Sequence, residues 1–131
     1  MTTPSKPKWI EIRNHSRQGP AGLRARWCES FACKLRGLTF RRVLPNDEAL
    51  LLVESSEGRA NTAIHMWFVF QPLGVVWLNS ERRVVDVMVA RPWRWYVPRT
   101  AARFVLEGTP ELAFLFAVGD LVGFESLAPN H

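Results

Sequence analysis

The chain has 131 residues and a formal net charge of +5, with 47% hydrophobic and 22% charged residues. This length and balance are typical of one globular domain and exclude wholesale disorder. The basic excess is compatible with an anionic partner but does not identify one. We expect a disordered leader over residues 1–8, a single β-rich domain over 9–126 and a frayed tail over 127–131.

The N-terminal residues MTTPSKPKW are polar and lack the apolar run of a secretion signal. We therefore expect a cytoplasmic protein with no membrane segment. In that compartment the two cysteines, Cys28 and Cys33, are expected to be reduced thiols. Three scattered histidines and two thiols do not make a set of metal ligands, so we expect no metal and no cofactor.

Two early segments alternate between apolar and polar residues, as strands with one buried face do. Residues 9–13 (WIEIR) form a first strand or an extended arm, and residues 23–28 (LRARWC) form a strand with its arginines exposed. Residues 31–40 (FACKLRGLTF) carry apolar residues at helical spacing and predict a short helix. A buried strand over 49–54 (ALLLVE) and a polar loop over 55–61 follow.

The central part of the chain is the apolar run TAIHMWFVFQPLGVVWL, residues 62–78. Over Ile64–Phe70 the even positions predict a core-facing side, and the odd positions, with His65 and Trp67, predict a mixed side. A proline then ends this strand, since it offers no N–H to a neighbouring strand. Val75–Leu78 form a second strand that we expect to be buried on both sides.

The turn-like residues 79–82 (NSER) connect that strand to residues 83–90 (RVVDVMVA), which predicts an antiparallel hairpin. Two prolines bracket three aromatics in residues 91–99 (RPWRWYVPR), so we expect an extended surface or edge segment there. Three more elements follow: a strand over 103–107, a short helix over 111–118 and a last strand over 121–125. The sequence predicts a mainly β fold, a single β-sandwich or barrel-like domain with one or two short α-helices.

Three stretches, CKLRGLTFRRVLP, IHMWFVFQPLGVVWLNSERRVV and FVLEGTPELAFLFAVGDLV, together resemble the domain of unknown function 192. Its most specific pieces are Arg36-Gly37-Leu38, Ile64-His65, Pro72, Leu106-Glu107 and Gly119-Asp120. The resemblance implies a small β-sandwich or barrel-like fold with one or two short helices. It implies no activity, because none is assigned to the family. The chain departs from the family pattern at Gly74, where members commonly carry an aspartate.

The mixed side of the central strand predicts a ligand surface made of His65, Trp67 and Gln71. If the hairpin register allows, Asp86 joins this surface and forms with His65 the acid–base pair of a small hydrolase or isomerase. The alternative is that both residues are hydrogen-bonded for structural reasons, as most buried polar groups are. No motif of a serine or cysteine nucleophile accompanies the pair, so we favour a role without catalysis.

Arg36 lies on the predicted short helix, and its planar guanidinium is suited to a bidentate contact with a carboxylate or a phosphate. It is either a ligand-binding residue or the structural partner of a buried acid such as Glu107 or Asp120. The residues alone leave both alternatives open.

Basic and aromatic side chains alternate in residues 91–99, the combination with which proteins bind single-stranded nucleic acid. The residues concerned are Arg91, Trp93, Arg94, Trp95 and Arg99. The alternatives are an edge segment whose rings cover the core and an edge that pairs with another protein. The sequence therefore predicts a small non-catalytic binding or interaction module for an unknown small molecule or protein. Weak binding of single-stranded nucleic acid and an enzyme based on His65 and Asp86 are the alternative functions.

Overall fold

The computed structural model describes residues 8–17, 22–29, 48–66 and 69–127. The strands are β1 (Trp9–Asn14), β2 (Leu23–Cys28), β3 (Glu48–Gly58), β4 (Ile64–His65), β5 (Leu73–Leu78), β6 (Val84–Ala90), β7 (Trp95–Tyr96), β8 (Ala102–Gly108) and β9 (Val122–Ser126). A short 3₁₀-helix, Pro110–Phe114, lies between β8 and β9. The predicted mainly β class is confirmed.

Seven strands form one sheet in the order β6-β5-β8-β3-β2-β1-β9, and β4 pairs with β7 in a second, two-stranded sheet. The large sheet is mixed because β2 and β3 are parallel, whereas the other neighbours are antiparallel. Arg83, just before β6, bridges to Leu121, just before β9. This contact brings the two edge strands together at one point without closing a barrel. Across the described ranges, no helix is long and apolar enough to span a membrane.

Strand β5 separates two hydrophobic cores, and all six of its residues are buried, as predicted for a strand covered on both sides. Val76 and Leu78 belong to the first core, which also contains Leu112 of the helix. Val75 and Trp77 belong to the second core, which also includes residues of β4 and of the loop after it. Alternation along a strand sends neighbouring side chains to opposite faces, so one apolar strand supplies both cores.

Most predicted strands are confirmed with small shifts at their ends. Strand β5 pairs antiparallel with β6, which is the predicted hairpin. Strands also occupy the places predicted for residues 9–13, 23–28, 103–107 and 121–125. Residues 31–40, for which a helix is predicted, lie outside the described residues.

The strand predicted over Ile64–Phe70 is confirmed for Ile64–His65 and is wrong for Met66, Val69 and Phe70, while residues 67–68 lie outside the described residues. The N–H of Val69 donates a hydrogen bond to the carbonyl of Met66 at 3.3 Å, so the chain turns there. A turn changes which face the following residues occupy. Val69 is therefore buried, and Phe70, which the alternation assigned to the core, is 53% exposed.

The polar loop predicted over residues 55–61 is wrong for its first part, because β3 continues to Gly58. The ladder to β8 is interrupted after Val53 and resumes where Gly58 lies opposite Ala102. The polar side chains of residues 55–57 are all exposed. This part of β3 therefore has a strand conformation without burying any polar group. Polar composition alone therefore did not distinguish an exposed strand from a loop.

The helix predicted over residues 111–118 is shorter and of the 3₁₀ type. Pro110 is its first residue, and the side chain of Thr109 before it makes no capping hydrogen bond. Leu112 is the buried residue of this helix, and Phe114 beyond it is exposed. Short helices depend on packing for their stability. With Leu112 as its buried residue, this helix has packing for a single turn or so.

Cys28 is buried in the second core and is disulfide-bonded. The other cysteine of the sequence, Cys33, lies outside the described residues. The expectation of reduced thiols is therefore wrong for Cys28. That expectation rested on an inferred compartment and on no pattern in the residues around the cysteines.

Glu107 is a buried carboxylic acid in β8. Its neighbours across the ladder are Leu50 of β3 and Val75 of β5, both apolar. The side chain is nearly inaccessible, with the residue 6% exposed. Desolvation disfavours the charged form and raises the pKa of Glu107 from its usual 4.5 to about 7.

Replacing this acid with its neutral amide, Glu107→Gln, should stabilise the protein at alkaline pH. The folded-state pKa lies above the unfolded-state value, so the stability associated with the protonated carboxyl is complete below about pH 4.5 and is lost as the pH rises through about 7. The full shift corresponds to roughly 3 kcal/mol. Urea unfolding across this pH range measures the difference between variant and wild type.

The exposed Glu81→Gln serves as the control and should follow the pH profile of the wild type. A difference between Glu107→Gln and wild type that stays constant with pH would contradict the account of a desolvated acid.

Candidate ligand-binding surface

The segment that follows β6 is attached to β4 through main-chain hydrogen bonds. His65 lies opposite Trp95 in the two-stranded sheet. The N–H of Met66 donates to the carbonyl of Arg94, and the N–H of Trp93 donates to the carbonyl of Met66, both at 2.7 Å. The backbone on the N-terminal side of β7 therefore has a defined position relative to β4.

Two further contacts hold the ends of this segment. The N–H of Arg91 donates to the hydroxyl oxygen of Tyr96 at 2.8 Å, which closes the loop between them. The Nε of Arg59, from the chain before β4, donates to the carbonyl of Pro98 at 3.0 Å. Contacts from β4 and Arg59, together with one hydrogen bond within the segment, thus fix residues 91–98.

Asp86 anchors the C-terminal end of the segment. It is buried, with 6% exposure, and lies opposite Trp77 in the ladder between β6 and β5. Its Oδ2 accepts a hydrogen bond from the N–H of Arg99, and its Oδ1 accepts one from the N–H of Val87, both at 2.9 Å. Both oxygens of this carboxylate therefore bind main-chain amides.

His65 and Asp86, which the enzyme alternative combined as an acid–base pair, lie in different sheets. His65 is exposed on the two-stranded sheet, whereas Asp86 is buried in the seven-stranded sheet. The hydrogen-bond partners of the Asp86 side chain are the main-chain amides of Val87 and Arg99.

Trp93 has an unusual backbone conformation, with a φ angle of 65°. A bulky residue rarely adopts this left-handed region, and doing so costs about 1–3 kcal/mol. The hydrogen bond from its N–H to Met66 holds the conformation, while its side chain remains 53% exposed. Retained strain at an exposed side chain motivates a hypothesis of function at this position.

Four rings on β4, β7 and the adjoining loops form two contacting pairs, His65 with Trp95 and Phe70 with Trp93. His65 stacks on Trp95, with ring centroids 6.2 Å apart and an angle of 28° between the planes. Phe70 meets Trp93 edge to face, with centroids 6.3 Å apart. Phe70, Trp93 and Trp95 are 53%, 53% and 57% exposed, so each presents about half of its surface to solvent.

Three exposed arginines, Arg91, Arg94 and Arg99, belong to the same segment. From Arg91 through Leu106 the chain carries four arginines, Arg91 included, and no acidic residue. Within the described ranges, the arginines that form ion pairs are Arg13 on β1, Arg17 in the turn after β1 and Arg24 on β2. We call the four rings and these three arginines the aromatic–arginine face.

This face joins two regions that the sequence analysis proposed separately. They are the mixed side of the strand that contains His65 and the segment 91–99. Gln71 is half-buried and follows Phe70 in the chain. Trp67 and Arg36, the other residues proposed for ligand binding, lie outside the described residues. Phe70 is a member of the face that the sequence analysis missed, because the alternation before it assigned its ring to the core.

Asp120, one of the acids proposed as a partner for Arg36, is engaged elsewhere. Its Oδ2 accepts hydrogen bonds from the side chain of Asn14 at 2.7 Å and from the N–H of Ala117 at 2.9 Å, and it forms an ion pair with Arg17 at 3.1 Å. These contacts tie β1 to the turn before β9. Gly119 in this turn has a φ angle of 97°, which suits glycine.

Comparison with known proteins relates the chain to one family. The model of the domain of unknown function 192, described as "Uncharacterized ACR", matches residues 12–122. The UPF0127 proteins of Thermococcus kodakarensis and Thermococcus gammatolerans are 39% and 40% identical over 98 and 99 residues, which are 73% and 74% of this chain. The matched region covers 61% and 63% of those relatives, less than two thirds of their length. The UPF0127 protein of Pyrococcus horikoshii is 37% identical over 75% of this chain and 79% of its own.

Two solved structures share the fold. A Sinorhizobium meliloti protein described as a candidate transcription regulator has a TM-score of 0.78 at 16% identity, covering 95% of this chain and 98% of its own. A Novosphingobium aromaticivorans protein of unknown function has a TM-score of 0.71 at 18% identity, covering 89% of this chain and 84% of its own. At these identities the likeness concerns the fold alone.

The resemblance recognised in the sequence is confirmed by the family match and by the curated relatives. Neither the family description nor the names of these relatives state an activity. On this basis the chain belongs to the domain of unknown function 192 family, whose curated members carry the name UPF0127.

Proposed function

We propose that this protein is a small non-catalytic binding module whose ligand-binding surface is the aromatic–arginine face. The observation that carries the proposal is the half exposure of Trp93 and Trp95, two large rings on a segment with a fixed main chain. Moving a large apolar group out of water lowers the free energy of the system. Rings that stay exposed on an ordered segment therefore favour a role in recognition over a role in stability.

The attachment of the segment supports binding in a second way. Ordering a loop during association costs free energy, and a loop that is already fixed avoids this cost. Hydrogen bonds to Met66, Tyr96 and Asp86 hold the backbone between Arg91 and Arg99. The rings and the guanidinium groups thus extend from a preformed surface.

The three arginines make an anionic ligand the best electrostatic match. Guanidinium groups bind carboxylates and phosphates through planar, bidentate contacts. The half-exposed rings add apolar or stacking contacts next to these charges. A non-catalytic role is supported by the engagement of both oxygens of Asp86 with main-chain amides, which leaves this carboxylate in a structural position.

The double variant Arg91→Ser/Arg94→Ser tests whether the face binds anions. The wild type should bind heparin, a polyanion without aromatic rings, and elute from a heparin column with added salt. The variant should elute at clearly lower salt, because phosphate-like and sulfate-like groups lose two contacts at the face.

The matched control is Arg13→Ser/Arg24→Ser, which removes the same charge from exposed residues of β1 and β2. Those arginines pair with Glu11, Glu125 and Glu48 at the surface, where ion pairs contribute little stability. Equal shifts for the two double variants would mean that net charge alone is responsible. That result, or no retention of the wild type at low salt, would overturn the proposal of an anion-binding face.

The role of Trp93 is tested by Trp93→Gly, which should leave stability within about 1 kcal/mol of the wild type. Glycine relieves the strain of a positive φ and loses an exposed ring, while the unfolded chain gains some freedom. Urea unfolding measures the change. A loss of about 3–5 kcal/mol, as for a ring that fills a core, would contradict the assignment of this ring to ligand binding.

Trp77→Phe provides the comparison, because Trp77 is fully buried and its indole N–H donates to the carbonyl of Thr62 at 2.8 Å. This variant leaves a buried carbonyl without its donor and should lose about 1–3 kcal/mol.

A further inference from the structure

We infer that the ligand of the aromatic–arginine face is a single-stranded nucleic acid. The inference rests on the proposed function and names the ligand class of the same surface. It is carried by the exposure of rings that are held by neighbouring rings and by the exposed arginines of the same segment.

Three of the four rings present about half of their surface to solvent. Trp93 and Trp95 are a little over half exposed, so part of each indole packs against the protein and part remains available. His65 stacks on Trp95, and Phe70 supports Trp93 edge to face. A supported ring with an accessible face is suited to stacking on a base, and every base has such a face. A side chain that inserts into a lipid bilayer instead needs to project beyond its neighbours.

The arginines are close to the two indoles along the chain. Arg94 lies between Trp93 and Trp95 in the sequence, and Arg91 and Arg99 lie on either side of this group. All three arginines are exposed. A nucleic acid strand that stacks its bases on the indoles therefore has guanidinium groups available for its phosphates.

A duplex fits this surface less well than a single strand. The faces of its bases are covered by stacking, and proteins read its edges by inserting an α-helix or a two-stranded ribbon into a groove. Exposed rings such as Trp93 and Trp95 suit bases that are already unstacked.

Fluorescence anisotropy with three labelled probes tests the inference. The probes are a mixed-sequence DNA strand of about 12 nucleotides, an abasic strand with the same number of phosphates, and the corresponding duplex. Stacking contributes about a tenfold gain in affinity per base. The wild type should therefore bind the normal strand at least about tenfold more tightly than the abasic strand or the duplex.

Two variants separate the contributions of rings and charges. Trp93→Gly should weaken binding of the normal strand about tenfold and leave binding of the abasic strand unchanged. Arg91→Ser/Arg94→Ser should weaken binding of both strands. For a single strand, losing two phosphate contacts should also reduce the slope of log affinity against log salt by about 1.4. The Arg13→Ser/Arg24→Ser variant should retain most of the wild-type slope.

Equal affinity for the normal and abasic strands would overturn the inference and identify the face as a general polyanion site, which leaves the proposed function intact. Tighter binding to phosphatidylglycerol vesicles, without competition by the DNA strand, would overturn it in favour of a lipid surface. No binding of the single strand at low salt would overturn it as well. Heparin retention that does not depend on Arg91 and Arg94 is a separate result, and it would remove the proposed function itself.

Discussion

The position of the candidate surface depends on one buried carboxylate. Asp86 accepts main-chain hydrogen bonds from Val87 in its own strand and from Arg99 at the end of the exposed segment. It lies on β6, which pairs with the fully buried β5. Burial of this side chain limits competition by water for its hydrogen bonds. A strand paired with the fully buried β5 therefore fixes the C-terminal end of the segment that carries Trp93 and Trp95.

The architecture separates stability from recognition. Strand β5 supplies side chains to both cores, so the centre of the sheet does not need the rings of the aromatic–arginine face for its packing. The second core takes Ile64 and Met66 from the chain around β4, while His65 between them is exposed. The same short strand thus anchors itself with one side and contributes to the face with the other. The exposed side chains of the face can therefore be substituted without changing the packing of the two cores.

The sequence predicted the elements whose signals are local. Strand β5 is a continuous apolar run, and its hairpin with β6 follows from four turn-like residues, so both are confirmed. The face depends on contacts between β4 and β7, which have two residues each and show no periodicity. The turn at Met66, which exposes Phe70, contains neither glycine nor proline among its described residues. The location of Asp86 depends on a register shift beside Trp77, and residue types do not reveal such shifts.

Native-state hydrogen exchange of the unliganded protein tests most directly whether the face is preformed. The amides of Arg91, Trp93 and Arg99 donate to Tyr96, Met66 and Asp86. Amides held in this way exchange only when the local structure opens. We predict exchange at least about 100-fold slower than in an unstructured peptide for all three amides. Exchange at the rate of an unstructured peptide would contradict the account, because the rings and arginines would then belong to a loop that has no fixed position before the ligand binds.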